Sequence, residues 1–267
     1  MKKSLFLTVV ACAIVSSAIS AHEFFVIPDV AKDYKAGDTV QIDALSTHYF
    51  TVGEELEPAE VNEVYAVKNG AKGAPLPLEK NPDRVWYQTN YRLTDDTPTI
   101  IVGNRKGGFY CLFTDGDYAD GTRAEVVAAN TGKTIATARY FAKYSKYYLN
   151  PNAGDTSFST PLGHDLEIIP LDNPAKIKKG IFSKAKFRVL YKGQPLANAE
   201  ISATYDYYDY KTANAYAQTG KTDAKGEVTF KIDNSGLWIV RISDTRPSAY
   251  PDTEEDNIAA IVVFNVK

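Results

Sequence analysis

Residues 184–205 read KAKFRVLYKGQPLANAEISATY, which predicts a strand, a turn and a second strand. The turn is supplied by Gly193–Leu196, between the strand-like runs Lys184–Tyr191 and Ala199–Tyr205. Similar runs recur along the chain, and in Thr39–Leu45 apolar residues alternate with polar ones. Because strands follow each other at regular spacing without a long amphipathic helix, the sequence predicts an all-β protein built from β-sandwiches.

A polar, turn-rich stretch divides the predicted strands into two groups. Residues 149–162 (LNPNAGDTSFSTPL) are rich in Asn, Pro, Gly, Ser and Thr, which is typical of a domain boundary. We therefore expect two β-sandwich domains, residues 22–155 and residues 156–267. A chain of 267 residues is long enough for each domain to have its own core.

The first 21 residues predict export. Lys2 and Lys3 form a positive start, Leu5–Val15 is apolar, and small residues follow up to Ala21. This order is that of a secretory signal peptide, which we assign to residues 1–21. No apolar run after residue 21 is long enough to span a bilayer, so we expect a protein that does not itself cross the membrane.

The site of signal cleavage decides the chemistry of the new terminus. Cleavage after Ala21 makes His22 the first residue, whereas cleavage after Ala18 leaves it fourth. A lipoprotein site at Cys12 is a further alternative, although the apolar run before it is short. A histidine at a free terminus is a chelate, because its α-amine and its ring nitrogen can bind one metal ion together.

Composition narrows the functional classes. The formal net charge is −3 and we note no basic patch, which argues against a nucleic-acid partner. Cys111 is the single cysteine after the predicted signal peptide, so no internal disulfide is expected, and its apolar surroundings predict a buried thiol. The chain has no nucleotide-binding loop, no nucleophile elbow and no zinc-protease helix motif, and nothing in it argues specifically for an enzyme.

Three histidines are the candidate metal ligands: His22, His48 and His164. His48 follows the strand 39–45, so if the strand at residues 24–27 pairs with it, His22 and His48 lie at one edge of a sheet. Each histidine also has an alternative role that involves no metal. His22 would be a surface histidine, His48 a solvated loop residue and His164 a turn residue. His164 lies at the start of the second predicted domain. If it is a ligand rather than a turn residue, it would complete a metal site at the domain junction.

Two further segments have less specific patterns. Residues 115–125 (DGDYADGTRAE) resemble a calcium loop but lack its glycine and its final glutamate, so we interpret them as a hairpin turn, with residues 123–130 as its next strand. Tyr205–Tyr216 interleaves tyrosines with aspartates, which is typical of a partner or sugar surface or of a strand that covers a core rim. We expect this segment in the second domain, away from His22.

Several short motifs in a fixed order carry a family resemblance. They are HEFFVIP (22–28), AKYSK (142–146), GHDLEIIPL (163–171) and GQPLANA (193–199). The chain resembles a large family of exported bacterial proteins described as periplasmic components of cobalt/nickel transport systems. The resemblance implies a periplasmic protein whose second domain is transthyretin-like or immunoglobulin-like, acting beside a membrane transporter of the energy-coupling-factor type. His22 and His48 match histidines of that family.

Three functional hypotheses follow. The first is a periplasmic protein that captures Ni²⁺ or Co²⁺ through His22, His48 and His164, together with an acidic side chain or water, and supports uptake of the ion. Cu²⁺ suits such nitrogen ligands at least as well as Ni²⁺. The second is a copper-dependent oxidative enzyme, and the third is a metal-free module that binds a partner.

Overall fold

The structure is a computed structural model that describes residues 22–29, 34–56 and 59–267. The predicted signal peptide, residues 1–21, lies outside the described residues. Strands make up 51% of the structure and helices 6%, which confirms the prediction of an all-β sandwich fold. The described residues contain one α-helix, α1 (Arg123–Ala129), and three single-turn 3-10 helices at Ala59–Val61, Ser157–Ser159 and Pro174–Lys176.

Seventeen strands run through the described part of the chain. Before residue 150 they are β1 (Glu23–Pro28), β2 (Thr39–Thr47), β3 (Asn62–Lys68), β4 (Ala71–Lys72), β5 (Glu79–Lys80), β6 (Tyr87–Arg92), β7 (Thr99–Phe113), β8 (Tyr118–Asp120) and β9 (Ile135–Leu149). After it they are β10 (Leu166–Pro170), β11 (Lys184–Tyr191), β12 (Gln194–Pro195), β13 (Glu200–Tyr205), β14 (Gln218–Lys221), β15 (Glu227–Lys231), β16 (Gly236–Pro247) and β17 (Glu255–Val266).

The largest sheet combines strands from both halves of the chain. Its strands lie in the order β14-β13-β16-β17-β9-β7-β3-β4, and β8 pairs with β7. β17 runs parallel to β9, with Glu255 opposite Arg139. Since every residue of β17 from Ile258 to Phe264 is buried, this strand has no polar face and belongs inside a sheet, between two neighbours. The predicted division between residues 155 and 156 therefore does not separate two sheets.

Two smaller sheets cover the opposite faces of this central sheet. One contains β1, β2, β6 and β5, and the other contains β10, β11, β12 and β15. Leu237 and Ile239 of β16 pack into the core under the first small sheet, whereas Trp238 and Val240 pack into the core under the second. Because successive side chains of a strand point to opposite faces, the described part of the molecule has three layers and two main cores. The two expected sandwiches thus share their middle layer.

One segment predicted as a strand is helical. Residues 123–130 were expected to form one arm of a hairpin, but α1 occupies Arg123–Ala129. The helix begins with a capping box, in which the Thr122 hydroxyl accepts from the Glu125 N–H and the Glu125 carboxylate accepts from the Thr122 N–H. Val126 packs against Cys111 in a small third core, and Cys111 is fully buried and free, as predicted.

Candidate metal centre

His22 and His48 meet at the edge of the first small sheet. β1 and β2 pair antiparallel with Glu23 opposite Thr47, so the next residues outward on the two strands are His22 and His48. Their ring centroids are 4.2 Å apart, with the ring planes inclined by 44°. The pairing of the first two strands, and with it the expected position of both histidines at one sheet edge, is confirmed. Opposed residues of an antiparallel pair have neighbouring side chains, which explains the contact.

A tight return of the chain after His48 adds two carboxylates. The Val52 N–H donates to the Tyr49 carbonyl at 3.0 Å, which closes a turn in which Thr51 has a positive φ of 69°. The N–H groups of Glu54 and Glu55 then donate to the Ser46 carbonyl, at 3.2 and 3.3 Å. The chain therefore runs back along the end of β2, which places both glutamates next to the two histidines.

Each imidazole faces one of these carboxylates. Nδ1 of His22 lies 2.8 Å from Oε2 of Glu55, and Nδ1 of His48 lies 3.2 Å from Oε2 of Glu54. One ligand atom each from His22, His48 and Glu54 can be chosen so that all three lie within 4.8 Å of one another. Ligands about 2 Å from a common ion are at most about 4 Å apart, so small side-chain rotations suffice to bring these atoms around one ion.

The electrostatic surroundings of His22 and Glu54 favour the protonation states that bind metals. Burial lowers the pKa of His22, and the nearby charges of His48 and Lys143 lower it further, while Glu55 opposes them. For Glu54, burial acts to raise the pKa, but hydrogen bonds from the His48 N–H and the Thr47 hydroxyl prevail and lower it. A neutral imidazole and an ionised carboxylate are the protonation states that coordinate a cation.

His164 does not join this cluster. Its ring stacks on Tyr144 with centroids 4.5 Å apart, and its Nε2 lies 3.3 Å from the Tyr65 hydroxyl. Burial, together with the charge of Lys146, lowers its pKa to about 4. Lys143, whose charge acts on His22, directly precedes Tyr144 in β9. Since successive residues of a strand point to opposite faces, Tyr144 and the His164 ring stacked on it lie on the face of the central sheet away from His22. The structure thus brings together two of the three predicted ligands.

The glutamates were not singled out from the sequence. Glu54 and Glu55 follow His48 by six and seven residues, but 33 acidic residues offer many such spacings by chance. Gly53 is a more specific indication of the turn that places the glutamates, since a Cβ at this position would lie 2.5 Å from the Val85 carbonyl oxygen and 2.8 Å from the Trp86 ring. A glycine held this closely fixes the path of the return turn, but only the folded chain shows what surrounds it.

The tyrosine-rich segment lies beside the same loop, contrary to the expectation that it would be distant. The Asn214 N–H donates to the His48 carbonyl at 2.8 Å, and the Thr51 hydroxyl donates to Asp206 at 2.9 Å. Tyr207 within this segment is 80% exposed. The order of strands explains this proximity. β13 and β16 belong to the central sheet, and β1 and β2 cover that sheet, so the loop after β13 lies beside the turn that follows His48.

A family model described as "Domain of unknown function (DUF4198)" matches residues 19–246. The chain belongs to this family. Comparison of the DUF4198 chain with curated proteins gives no match. Among the residues that the structure describes, no helix combines the length and apolar character needed to cross a membrane.

Several solved structures match the chain at low identity and low TM-score. Trypsin-activated alpha-2-macroglobulin from Escherichia coli is 11% identical with a TM-score of 0.26, over 91% of the DUF4198 chain and 15% of the macroglobulin. The D0-D1 domain of Intimin is 13% identical with a TM-score of 0.22, over 92% and 99% of the two chains. The fibronectin(III)-like modules of Clostridium thermocellum CbhA are 9% identical with a TM-score of 0.22, over 91% and 94%. The DUF4198 chain spans only a small part of the macroglobulin, and no functional argument follows from these likenesses.

Proposed function

We propose that this DUF4198 protein binds a divalent transition-metal ion, nickel or cobalt, in the periplasm and supports its uptake by a membrane transporter. The observation that carries the proposal is the convergence of His22, His48 and Glu54 at the paired ends of β1 and β2. The ion is the cargo of the protein in this proposal, so binding must be both specific and reversible.

The donor set suits this class of metal. Imidazole nitrogens bind Ni²⁺, Co²⁺, Zn²⁺ and Cu²⁺, whereas Mg²⁺ and Ca²⁺ prefer sites made entirely of oxygen. Cleavage after Ala21 would free the α-amine of His22 and add a further nitrogen. Raw affinity rises toward Cu²⁺ in the Irving–Williams order, so the ligands alone do not select nickel or cobalt. That choice rests on the resemblance to exported proteins of cobalt/nickel transport systems.

Metal titration of residues 22–267 with an authentic His22 terminus tests the binding. We expect one Ni²⁺ or Co²⁺ per chain by calorimetry and native mass spectrometry, with His22→Ala and His48→Ala each weakening binding by orders of magnitude. His164→Phe is the matched control, because it removes a histidine on the other face of the central sheet. Unchanged affinity in both site variants would refute the proposal.

The transport role needs its own test. Cells that lack the protein should accumulate less radioactive ⁶³Ni or ⁵⁷Co at low external concentration, and the wild-type chain should restore accumulation. The His48→Ala variant should not restore it, although it reaches the same compartment in equal amount. Equal accumulation with and without the protein would leave metal binding intact but exclude a role in uptake.

A copper-dependent oxidative enzyme is the second candidate, because one observation favours it. The tyrosine-rich segment contacts the turn that follows His48, so exposed aromatic side chains lie on the segment next to the candidate site. Such an enzyme would consume oxygen with a reductant when loaded with copper. Oxygen consumption by the copper-loaded protein no faster than by the same concentration of free Cu²⁺ would exclude it.

A further inference from the structure

A four-residue turn before β11 carries two apolar side chains into solvent. Ile181 is 89% exposed and Phe182 is 91% exposed, the highest values among the large apolar side chains of the described residues. Burial of such side chains is normally favourable, so two adjacent ones at a tip indicate an interaction surface.

The turn is held firmly by backbone hydrogen bonds. The Ser183 N–H donates to the Gly180 carbonyl at 3.0 Å, which closes the turn around Ile181 and Phe182. The Gly180 N–H donates to the Ile232 carbonyl, and the Ile232 N–H donates to the Ser183 carbonyl, both at 2.9 Å. The two central positions of such a turn are usually occupied by Pro, Gly, Asn or Asp. The exposed Ile-Phe pair is therefore a feature of an ordered element.

The chain segment that contains this turn is strongly basic, although the exposed Asp233 follows Ile232, which is hydrogen-bonded to the turn. Residues 173–199 contain seven lysines and arginines and no aspartate or glutamate, although the whole chain has a net charge of −3. Lys186 and Arg188 contact Glu227, while Lys178, Lys179 and Lys184 are exposed on the segments that flank the tip. The net charge of the chain conceals this local concentration of positive charge, which is contrary to the expectation of no basic patch.

We propose that this turn docks the protein on the surface of an anionic lipid bilayer, with Ile181 and Phe182 inserted at the boundary between headgroups and acyl chains. Exposed lysines attract anionic lipids, and adjacent apolar side chains on a protruding turn can enter a fluid surface without a preformed pocket. The tip shares no residue with the metal cluster, so docking and metal binding are separable.

Vesicle flotation tests the docking. Residues 22–267 are mixed with vesicles of phosphatidylethanolamine and phosphatidylglycerol, and with vesicles of phosphatidylcholine alone. We expect binding to the anionic vesicles and at least about a tenfold loss of partitioning for Ile181→Ser/Phe182→Ser. Lys178→Glu/Lys179→Glu should reduce binding similarly, and the binding of the wild-type chain should fall as salt is raised.

Matched variants separate docking from general surface effects. Val127→Ser removes another exposed apolar side chain, and Lys221→Glu/Lys225→Glu reverses two exposed lysines elsewhere; both should bind vesicles like the wild type. His22→Ala should also bind normally, so failure of the metal proposal leaves this one standing. Absence of binding to anionic vesicles, or binding that survives Ile181→Ser/Phe182→Ser, would overturn the proposal.

Fluorescence reports whether the tip enters the lipid. Phe182→Trp should show a blue-shifted emission with anionic vesicles, and brominated lipids should quench it more than they quench the wild-type tryptophans Trp86 and Trp238. If Phe182→Ser instead converts a dimer into a monomer in sedimentation experiments, or abolishes capture of an acidic protein while vesicles are never bound, the tip serves a protein interface and lipid docking is refuted.

Discussion

His22, His48 and Glu54 act as a unit at the residue scale, because the same few contacts set their positions. Glu54 accepts a hydrogen bond from the His48 N–H and faces the His48 ring, while Glu55 faces the His22 ring. The two glutamates are adjacent in the chain but differ in their relation to the cluster, since Glu54 is one of its three grouped ligands and Glu55 is not. This difference allows their roles to be compared directly.

We expect Glu54→Gln to weaken Ni²⁺ binding by about 100-fold, because a neutral amide is a poorer ligand than a carboxylate. Glu55→Gln should weaken it by only about tenfold, through the orientation of the His22 ring. Calorimetric titration of both variants at pH 7 provides the measurement. Equal effects of the two changes would show that Glu54 is not a preferred ligand.

His164 makes stability depend on pH. Its pKa is about 4 in the folded protein and about 6.5 when unfolded, so between these values the unfolded chain binds the proton and the folded chain does not. The contribution of His164 to stability is therefore nearly complete above pH 6.5 and declines as the pH falls toward 4, by about 2 kcal/mol at pH 5. Urea unfolding at pH 7 and pH 5 checks this. His164→Phe, which cannot titrate, should lose that much less stability than the wild type over this range.

The return turn is the element that decides whether the site forms. β1 and β2 place the histidines by register, but Glu54 reaches them only because the chain reverses at Thr51 and passes Val85 and Trp86 at Gly53. The segment around Asn214 then holds the turn from the other side through the His48 carbonyl. The geometry of the site thus depends on three parts of the chain: the paired strands β1 and β2, the segment at Val85 and Trp86, and the segment around Asn214.

Gly53→Ala should weaken metal binding although it removes no ligand. Its Cβ would lie 2.5 Å from the Val85 oxygen, so the turn must shift and carry Glu54 with it. We expect a loss of about tenfold in affinity for Ni²⁺, of the size found when groups that orient metal ligands are disturbed. Gly154→Ala is the control, since its nearest contact is 3.5 Å and it should leave affinity unchanged. An unaffected Gly53→Ala variant would mean that the turn does not set the ligand position.

Across the whole molecule, a buried ion pair joins two layers and both halves of the chain. Nζ of Lys146 in β9 lies 2.5 Å from Oε1 of Glu167 in β10, and both side chains are almost fully buried. Glu167 also accepts from the N–H groups of Leu162 and Gly163, at 2.7 and 3.1 Å. The pair therefore fixes the second small sheet on the central sheet and orders the segment that leads to His164.

Removal of one partner should be costly, because it leaves the other charge buried without compensation. We expect Glu167→Gln to lower the free energy of unfolding by about 3–5 kcal/mol, as found for other buried pairs. The double variant Lys146→Met/Glu167→Gln should recover much of that loss, since it buries no charge and its amide oxygen still accepts from one of the two N–H groups. Urea unfolding of the single and double variants measures the coupling, and additive losses would contradict it.

The sequence predicted those parts of the candidate site whose contacts join elements that are close along the chain. His22 and His48 belong to the first two strands, which pair directly, so the alternation in Thr39–Leu45 and the order of elements were enough to place them together. Glu54 depends on the packing of Gly53 against Val85, and the separate position of His164 depends on which face of β9 it meets. Neither contact leaves a periodic signal in the chain.

The amino-acid sequence by itself determined the strand content, the buried thiol and the pairing of the two histidine-bearing strands, because these depend on alternation and on neighbours close along the chain. It did not reveal α1, whose capping box has the same residue types as a turn. The tertiary structure alone decided that β17 lies beside β9, that the two halves share a sheet and that the tyrosine-rich segment reaches His48. These pairings join residues more than a hundred positions apart, and they follow from which apolar faces and strand edges remain to be covered once the local elements have formed.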